Sequence, residues 1–199
     1  MAHVKLRAYT SPTLVLIAMD WPEGKDLADF LGFAIKRTPG FRGAAESWLT
    51  NRIGFDGPPP DGSFLPSNTA PIQKFMWWDA QIDTADRGRT FTYDVWPVRG
   101  TPEHLRNIDA AKGSIDVTLP NFVENGIGTW FNRAVVSSQA FSRLLAELGI
   151  AGADDLDEDK ERKLRTWLAN GMETVIPDFL STAKDVSGAV YGRPALFLC

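Results

Sequence analysis

His3 and His104 are the two imidazoles of the chain. Imidazole is the side chain best suited to move a proton or attack phosphorus near neutral pH. His3-Val4-Lys5 sets an ammonium two residues from an imidazole, the pair that phosphoryl transfer needs as charge builds on oxygen. The pair lies at the N-terminus on an edge strand and reads as a chance match. His104 is followed by Leu105-Arg106, with no lysine in register, and reads as a solvated residue of a helical turn. Asp155-Leu156-Asp157-Glu158-Asp159 imitates the start of a calcium loop, but Lys160 occupies its glycine position and Thr166 its bidentate position. Ser137-Ser138 lacks the glycine elbow of a nucleophilic serine and suits a helix N-cap. Trp77-Trp78 has the residue type of a stacking platform for a sugar or base. A strand that buries one ring and exposes the other accounts for it more simply. No catalytic, cofactor-binding or metal-binding residue is therefore assigned.

The elements that must position these residues change character along the chain. Val4 to Tyr9, Thr13 to Met19 and Leu31 to Arg37 read as strands, the second the most apolar and central. Residues 40–70 are dense in Gly, Pro, Asn and Asp and read as a long excursion, with Trp48, Leu49, Ile53 and Phe55 tucked back onto the body. Pro71 to Asp79 and Gly88 to Val98 resume strand character, and Ser114 to Leu119 is the last strand candidate. Thr101-Pro102-Glu103 predicts a short helical turn. A helix is expected over Ser138–Leu148, stopped by Gly149. A second is expected after Asp154, burying Leu164, Trp167 and Leu168 and ending at Asn170-Gly171. Pro177 restricts a third to a start near Ile176 or a kink. The acidic connection from Gly149 to Asp157 is too long for a helix-turn-helix. Short strands at regular spacing predict a mainly β fold, an antiparallel β-sandwich followed by a small helical region. The boundaries are 1–120 for the sandwich, with its insertion at about 40–70, and 121–199 for the linker and helices.

Composition narrows the classes. Hydrophobic residues make up 44 % of 199, with seven Trp and twelve Phe, enough for a real core. Net charge is −4; residues 1–120 carry 13 basic and 14 acidic side chains, and the remainder 8 and 11. That balance argues against a nucleic-acid surface on this chain alone. Cys199 is the single cysteine, so neither an internal disulfide nor a zinc cluster is expected. The short apolar run Leu14–Met19 is no signal peptide, and no run reaches the length of a membrane helix. A soluble, cytoplasmic protein is expected.

The segment Phe131-Asn132-Arg133-Ala134-Val135-Val136-Ser137-Ser138-Gln139-Ala140-Phe141 resembles the FNRG-(I/L)-VSSQA segment of bacterial phospholipase D-like proteins, where a β-sandwich joins the phosphodiesterase core. Further segments resemble that family's N-terminal region in the same order: Lys5–Tyr9, Leu31–Ile35, Asn51–Phe55, Pro71–Asp79 and Tyr93–Val98. Gly88–Val98 is also similar to the fibronectin type III pattern G-T-x-Y-x-x-x-V-x-A-V, with Phe91 at the tyrosine position and Val95 at the valine. Phe91 has no hydroxyl, so a tyrosine-corner hydrogen bond must be absent or come from elsewhere.

The resemblance implies two H-x-K-x4-D motifs in a complete family member, and neither is present here. Past Ala189-Val190-Tyr191-Gly192 the sequence leaves the family pattern and ends Arg193-Pro194-Ala195-Leu196-Phe197-Leu198-Cys199, as a truncated, split or excised chain would. The expected function is thus a non-catalytic scaffold or recognition region of a phospholipase D-like phosphodiesterase. Its expected partner is a catalytic core, or a second copy meeting the apolar C-terminus. Two rivals remain. One is a phosphodiesterase (phospholipase or nuclease) active only as a homodimer or with a separate catalytic chain, with His3 and Lys5 supplied twice. The other is a carbohydrate- or peptide-binding β-sandwich using Trp48, Trp77, Trp78 or Trp96.

Overall fold

A computed structural model describes residues 2–130 and 138–181, in two compact units, Met1–Gly128 and Thr129–Cys199. The fold is mainly β, with antiparallel sheets, one of them curled into a half-barrel, and helices toward the C-terminus.

In the first unit, β1 (Lys5–Ser11) and β2 (Leu14–Asp20) form a hairpin across Pro12-Thr13, with Lys5 opposite Asp20 and Ser11 opposite Leu14. β3 (Phe30–Thr38) follows, then the excursion with β4 (Ser47–Trp48), β5 (Thr50–Asn51) and β6 (Leu65–Pro66). β7 (Met76–Asp79) returns to β2, so one sheet runs β1-β2-β7. β8 (Thr90–Thr101) is the spine of the other sheet. One of its edges takes β3; the other takes β10 (Gly113–Thr118) on its first half and β9 (His104–Asn107) on its second. β11 (Val123–Glu124) and β12 (Ile127–Gly128) close the unit as a small hairpin.

Alternation explains the core. Val15, Ile17 and Met19 of β2 point inward, as do Phe33 and Ile35 of β3 and Phe91, Tyr93 and Val95 of β8; all are buried. Trp21, Leu49, Ile72, Ile82 and Leu119 fill the space around them. The two sheets are joined by the segment ahead of β7. Ile72 exchanges both backbone hydrogen bonds with Phe33 of β3 (2.8 and 3.0 Å), and four residues later the chain pairs with β2.

Several expectations need correcting. Thr101–Asp109 forms no helical turn: Pro102-Glu103 makes the bend of a hairpin that sets His104 opposite Thr101. Pairing with the open edge of β8 outweighs the capping preference, and Gly100 adopts φ +122 where a Cβ would meet the His104 carbonyl. A 3-10 turn forms only later, at Asp109–Ala111. Ser114–Leu119 is not the last strand, because β11 and β12 turn on Asn125-Gly126, both at positive φ. The 40–70 excursion contributes β4 to the larger sheet. It buries Leu49, but Ile53 is 63 % exposed rather than tucked in.

In the second unit, α1 (Ser138–Glu147) ends at Gly149, φ +63, where the Ile150 amide reaches the Leu145 carbonyl and the Gly149 amide that of Ala146. α2 (Glu158–Ala169) is capped by Asp157, whose carboxylate accepts from the Lys160 amide at 2.8 Å, and it closes on left-handed Asn170. Leu164, Trp167 and Leu168 are only half-buried, with Trp167 beside Phe141 at 6.3 Å between rings. α3 (Met172–Ser181) starts four residues before Ile176 and runs through Pro177. The Ser137 part of the expected cap, the Phe131–Val136 joint and the Arg193–Cys199 tail lie outside the described residues.

Candidate functional site

The candidate residues scatter. His3 is exposed just ahead of β1, and its Nδ1 donates to the Lys112 carbonyl at 2.8 Å. His104 is exposed at the far end of β8, on the hairpin strand rather than on a helix. The carboxylates of the calcium-like stretch serve their own backbone and neighbours. Asp155 accepts from the amides of Ala151 and Gly152 (2.8 and 2.9 Å), which hold its carboxyl below the usual range. Asp159 is held low likewise by Lys163 and Arg162. Among the described residues no three His, Cys, Asp or Glu side chains assemble as a metal site.

The tryptophans divide by what already covers them. Trp96 and Trp48 lie together on the outer face of the larger sheet, their rings 5.3 Å apart. The chain's own lysines sit over them: Lys36 Nζ at 5.6 Å from Trp96 and 5.8 Å from Trp48, and Lys112 Nζ at 5.0 Å from Trp96. The Trp96 indole donates to Asp109 at 3.0 Å. That platform is already filled from within the chain. Trp77 turns inward and packs against the core, while Trp78 is 47 % exposed on the outer face of β7.

What fixes Trp78 is the residue after it. Asp79 is buried, and its Oδ2 accepts from Arg37 Nη1 at 3.1 Å and from the Tyr93 hydroxyl at 2.8 Å, while Oδ1 takes the Gln81 amide at 2.9 Å. Arg37, only 1 % exposed, spends its other donors on the carbonyls of Pro39, Gly40 and Gln81, at 2.9–3.1 Å. Its guanidinium lies over the rings of Phe41 and Phe91, at 4.3 and 4.7 Å, and Asp86 stands 3.8 Å away. A buried ion pair holds only when its remaining donors and acceptors are satisfied, and here they are. The pair ties β7 to β3 and β8, and so sets where the Trp77-Trp78 step ends.

Tyr93 supplies a hydroxyl in this network two residues from Phe91, which has none, and both are fully buried. Burial, and then the Asp79 charge and hydrogen bond, push the Tyr93 phenol far above its usual range. The raised value means that the neutral form is favoured in the fold. Its contribution to stability is complete below about pH 10, where an unfolded tyrosine titrates, and is lost as pH climbs above that. Tyr93→Phe is therefore expected to cost about 1–3 kcal/mol at neutral pH, by depriving Asp79 of a donor. It should also flatten the alkaline loss of stability. Chemical unfolding at pH 8 and pH 11 checks both; an equal gap between wild type and variant at the two values would refute the coupling.

The chain matches no protein-family model and no curated protein. No helix among the described residues is long and apolar enough to cross a membrane.

Proposed function

We propose that this chain is a non-catalytic recognition body, the counterpart of the N-terminal region of a phospholipase D-like phosphodiesterase. Its two sheets take the part of the immunoglobulin or fibronectin type III-like sandwich of such proteins. The segments carrying the resemblance include Lys5–Tyr9, Leu31–Ile35, Pro71–Asp79 and Tyr93–Val98, which supply much of β1, β3, β7 and β8. On α3, Ile176, Phe179 and Leu180 are exposed, an apolar face suited to meeting a catalytic core.

The observation that carries the non-catalytic reading is the separation of the imidazoles. His3 is bound to Lys112, next to Gly113 opposite Val95, whereas His104 lies opposite Thr101. Six residues of β8 separate those levels, roughly 20 Å along a strand. Two groups that must share one phosphate within hydrogen-bond reach do not meet in one copy. The purified chain is expected to leave bis(p-nitrophenyl) phosphate unhydrolysed above background. Turnover that disappears on His3→Ala would overturn the reading.

One observation favours the two-copy phosphodiesterase as second reading. The His3 Nδ1 proton is committed to the Lys112 carbonyl, which leaves an exposed Nε2 as acceptor two residues from Lys5.

A further inference from the structure

We propose that the outer face of the β1-β2-β7 sheet binds an acidic polysaccharide, with Tyr9 and Trp78 stacking on its sugar rings and Arg7 and Lys5 meeting its carboxylate or sulfate groups. This rests on reading the chain as a recognition body and names what it recognises.

Register places the residues. Tyr9 lies opposite Leu16, and Leu16 opposite Trp78, so one row crosses all three strands on the face away from the core. Tyr9 is 58 % exposed and Trp78 is 47 % exposed. Two inter-strand spacings separate their backbones, about 10 Å. That is wide enough for two sugar units of one chain to lie over the two rings, with Leu16 as the floor between. Large aromatic rings side by side on a wet surface lose little by sharing their faces with the C–H face of a sugar.

The next rows toward Lys5 carry the charge. Arg7 stands opposite Ala18, itself opposite Met76, and Lys5 stands opposite Asp20. Ala18 leaves the middle of its row low, and Arg7 and Met76 flank the dip. Lys5 and Arg7 project from the same side of β1 as Tyr9, two residues apart. Lys74, also exposed, lies two residues before Met76. None of these three cations forms an ion pair among the described residues, whereas Lys36, Lys112 and Arg99 elsewhere in the unit all do. Of the two carboxylates on β1, β2 and β7, Asp79 is buried and Asp20 is exposed, so Lys5 and Arg7 leave the outward face of those strands with a positive excess, on a chain of net charge −4.

That combination selects the ligand. A neutral glycan would leave the cations unused. A nucleic acid would meet the near balance of 13 basic and 14 acidic residues over 1–120 instead of a broad basic field. A uronate or sulfated chain uses both halves: ring faces for the aromatic row and anions for the cationic row. The platform is also pre-positioned, because Asp79, next to Trp78, is locked by Arg37 and Tyr93.

The test titrates the full chain with polygalacturonate and with dextran sulfate, using neutral dextran and an oligothymidylate as competitors of other chemistry. Saturable, salt-sensitive binding to at least one acidic polysaccharide is expected, and none to dextran. Trp78→Ala should weaken it about ten-fold, the loss of one stacked ring. Tyr9→Ala should act in the same direction, and Arg7→Gln should weaken binding and reduce its salt dependence. Trp96→Phe, on the other sheet, should leave it unchanged. Near-ultraviolet circular dichroism of the Trp78→Ala and Tyr9→Ala chains should match wild type, since both side chains are exposed. Absence of binding to both acidic polymers overturns the proposal. So does binding indifferent to Trp78→Ala and Tyr9→Ala, or oligothymidylate binding tighter than either polysaccharide. The phosphodiester assay reports separately on the recognition reading: turnover lost on His3→Ala refutes that reading whatever the glycans do. Silence in both experiments refutes only the glycan.

Discussion

Arg37→Met is expected to destabilise the first unit by about 3–5 kcal/mol, the range for removing one partner of a buried ion pair. Methionine retains the apolar stem under Phe41 and Phe91 and removes every guanidinium donor. Asp79 is then left as a buried carboxylate with two donors, Tyr93 and the Gln81 amide, and no cation at contact distance. Three carbonyls, of Pro39, Gly40 and Gln81, lose their partner in the same step. Guanidinium unfolding followed by tryptophan fluorescence reads the change, because Trp21, Trp48, Trp77, Trp78 and Trp96 all lie in that unit. The companion variant Arg37→Met/Asp79→Asn decides the cause. Asparagine keeps an acceptor for Tyr93 and sheds the charge, so the double variant should be more stable than the single by more than 1 kcal/mol. If the single variant costs less than about 1 kcal/mol, or the second change brings no recovery, the network is not the clamp that its geometry implies.

Gly32→Ala is the second large effect. Gly32 adopts φ +124 at the irregularity where β3 shifts register against β8 between Phe30 and Gly32. A Cβ there would stand 2.5 Å from the Ile72 carbonyl oxygen, backbone that cannot swing aside as a side chain could. Strain in that region costs about 1–3 kcal/mol, and the overpacking adds a similar amount. A total loss of roughly 2–6 kcal/mol is expected by thermal or chemical unfolding. The site of damage is predictable too: the amides of Phe33 and Ile72, which bond each other's carbonyls, should lose hydrogen-exchange protection first. A variant within 0.5 kcal/mol of wild type, with those amides intact, would contradict this.

The strands were legible where alternation was strong. β1, β2, β3, β8 and β10 fall where Val4–Tyr9, Thr13–Met19, Leu31–Arg37, Gly88–Val98 and Ser114–Leu119 place them, within a few residues. The misses have separate causes. Thr101-Pro102-Glu103 is as good a hairpin bend as a helix start, and only the free edge of β8 decides between them. Asn125-Gly126 is a strong hairpin signal, but flanking pairs of two residues leave little alternation to see. The excursion over 40–70 reads as a loop outside the sheet because its pairings, β4 on β3 and β5 on β6, are two residues long.

The candidate site was half legible. The Trp77-Trp78 pair could be read as one ring in and one ring out. Tyr9 could not be connected to it, since two residues 69 positions apart become neighbours only through the register of β2. Nor could a sequence separate Trp78 from Trp48 and Trp96, because what differs is whether lysines from other strands already cover the ring. Asp79, Arg37 and Tyr93 give no signal of a shared network in the sequence for a similar reason. Each is ordinary in its own strand, and the chemistry appears only when three strands converge.

β8 receives β3 on one side and β9 with β10 on the other, so the larger sheet cannot be completed before Thr90–Thr101 has been made. A nascent chain emerging from the ribosome therefore has only β4, Leu49 and Ile72 to set against Phe33 and Ile35 until that stretch has been made. Folding of this unit is a late event in its synthesis, and any helper that shields half-made chains has its longest task just before β8 arrives.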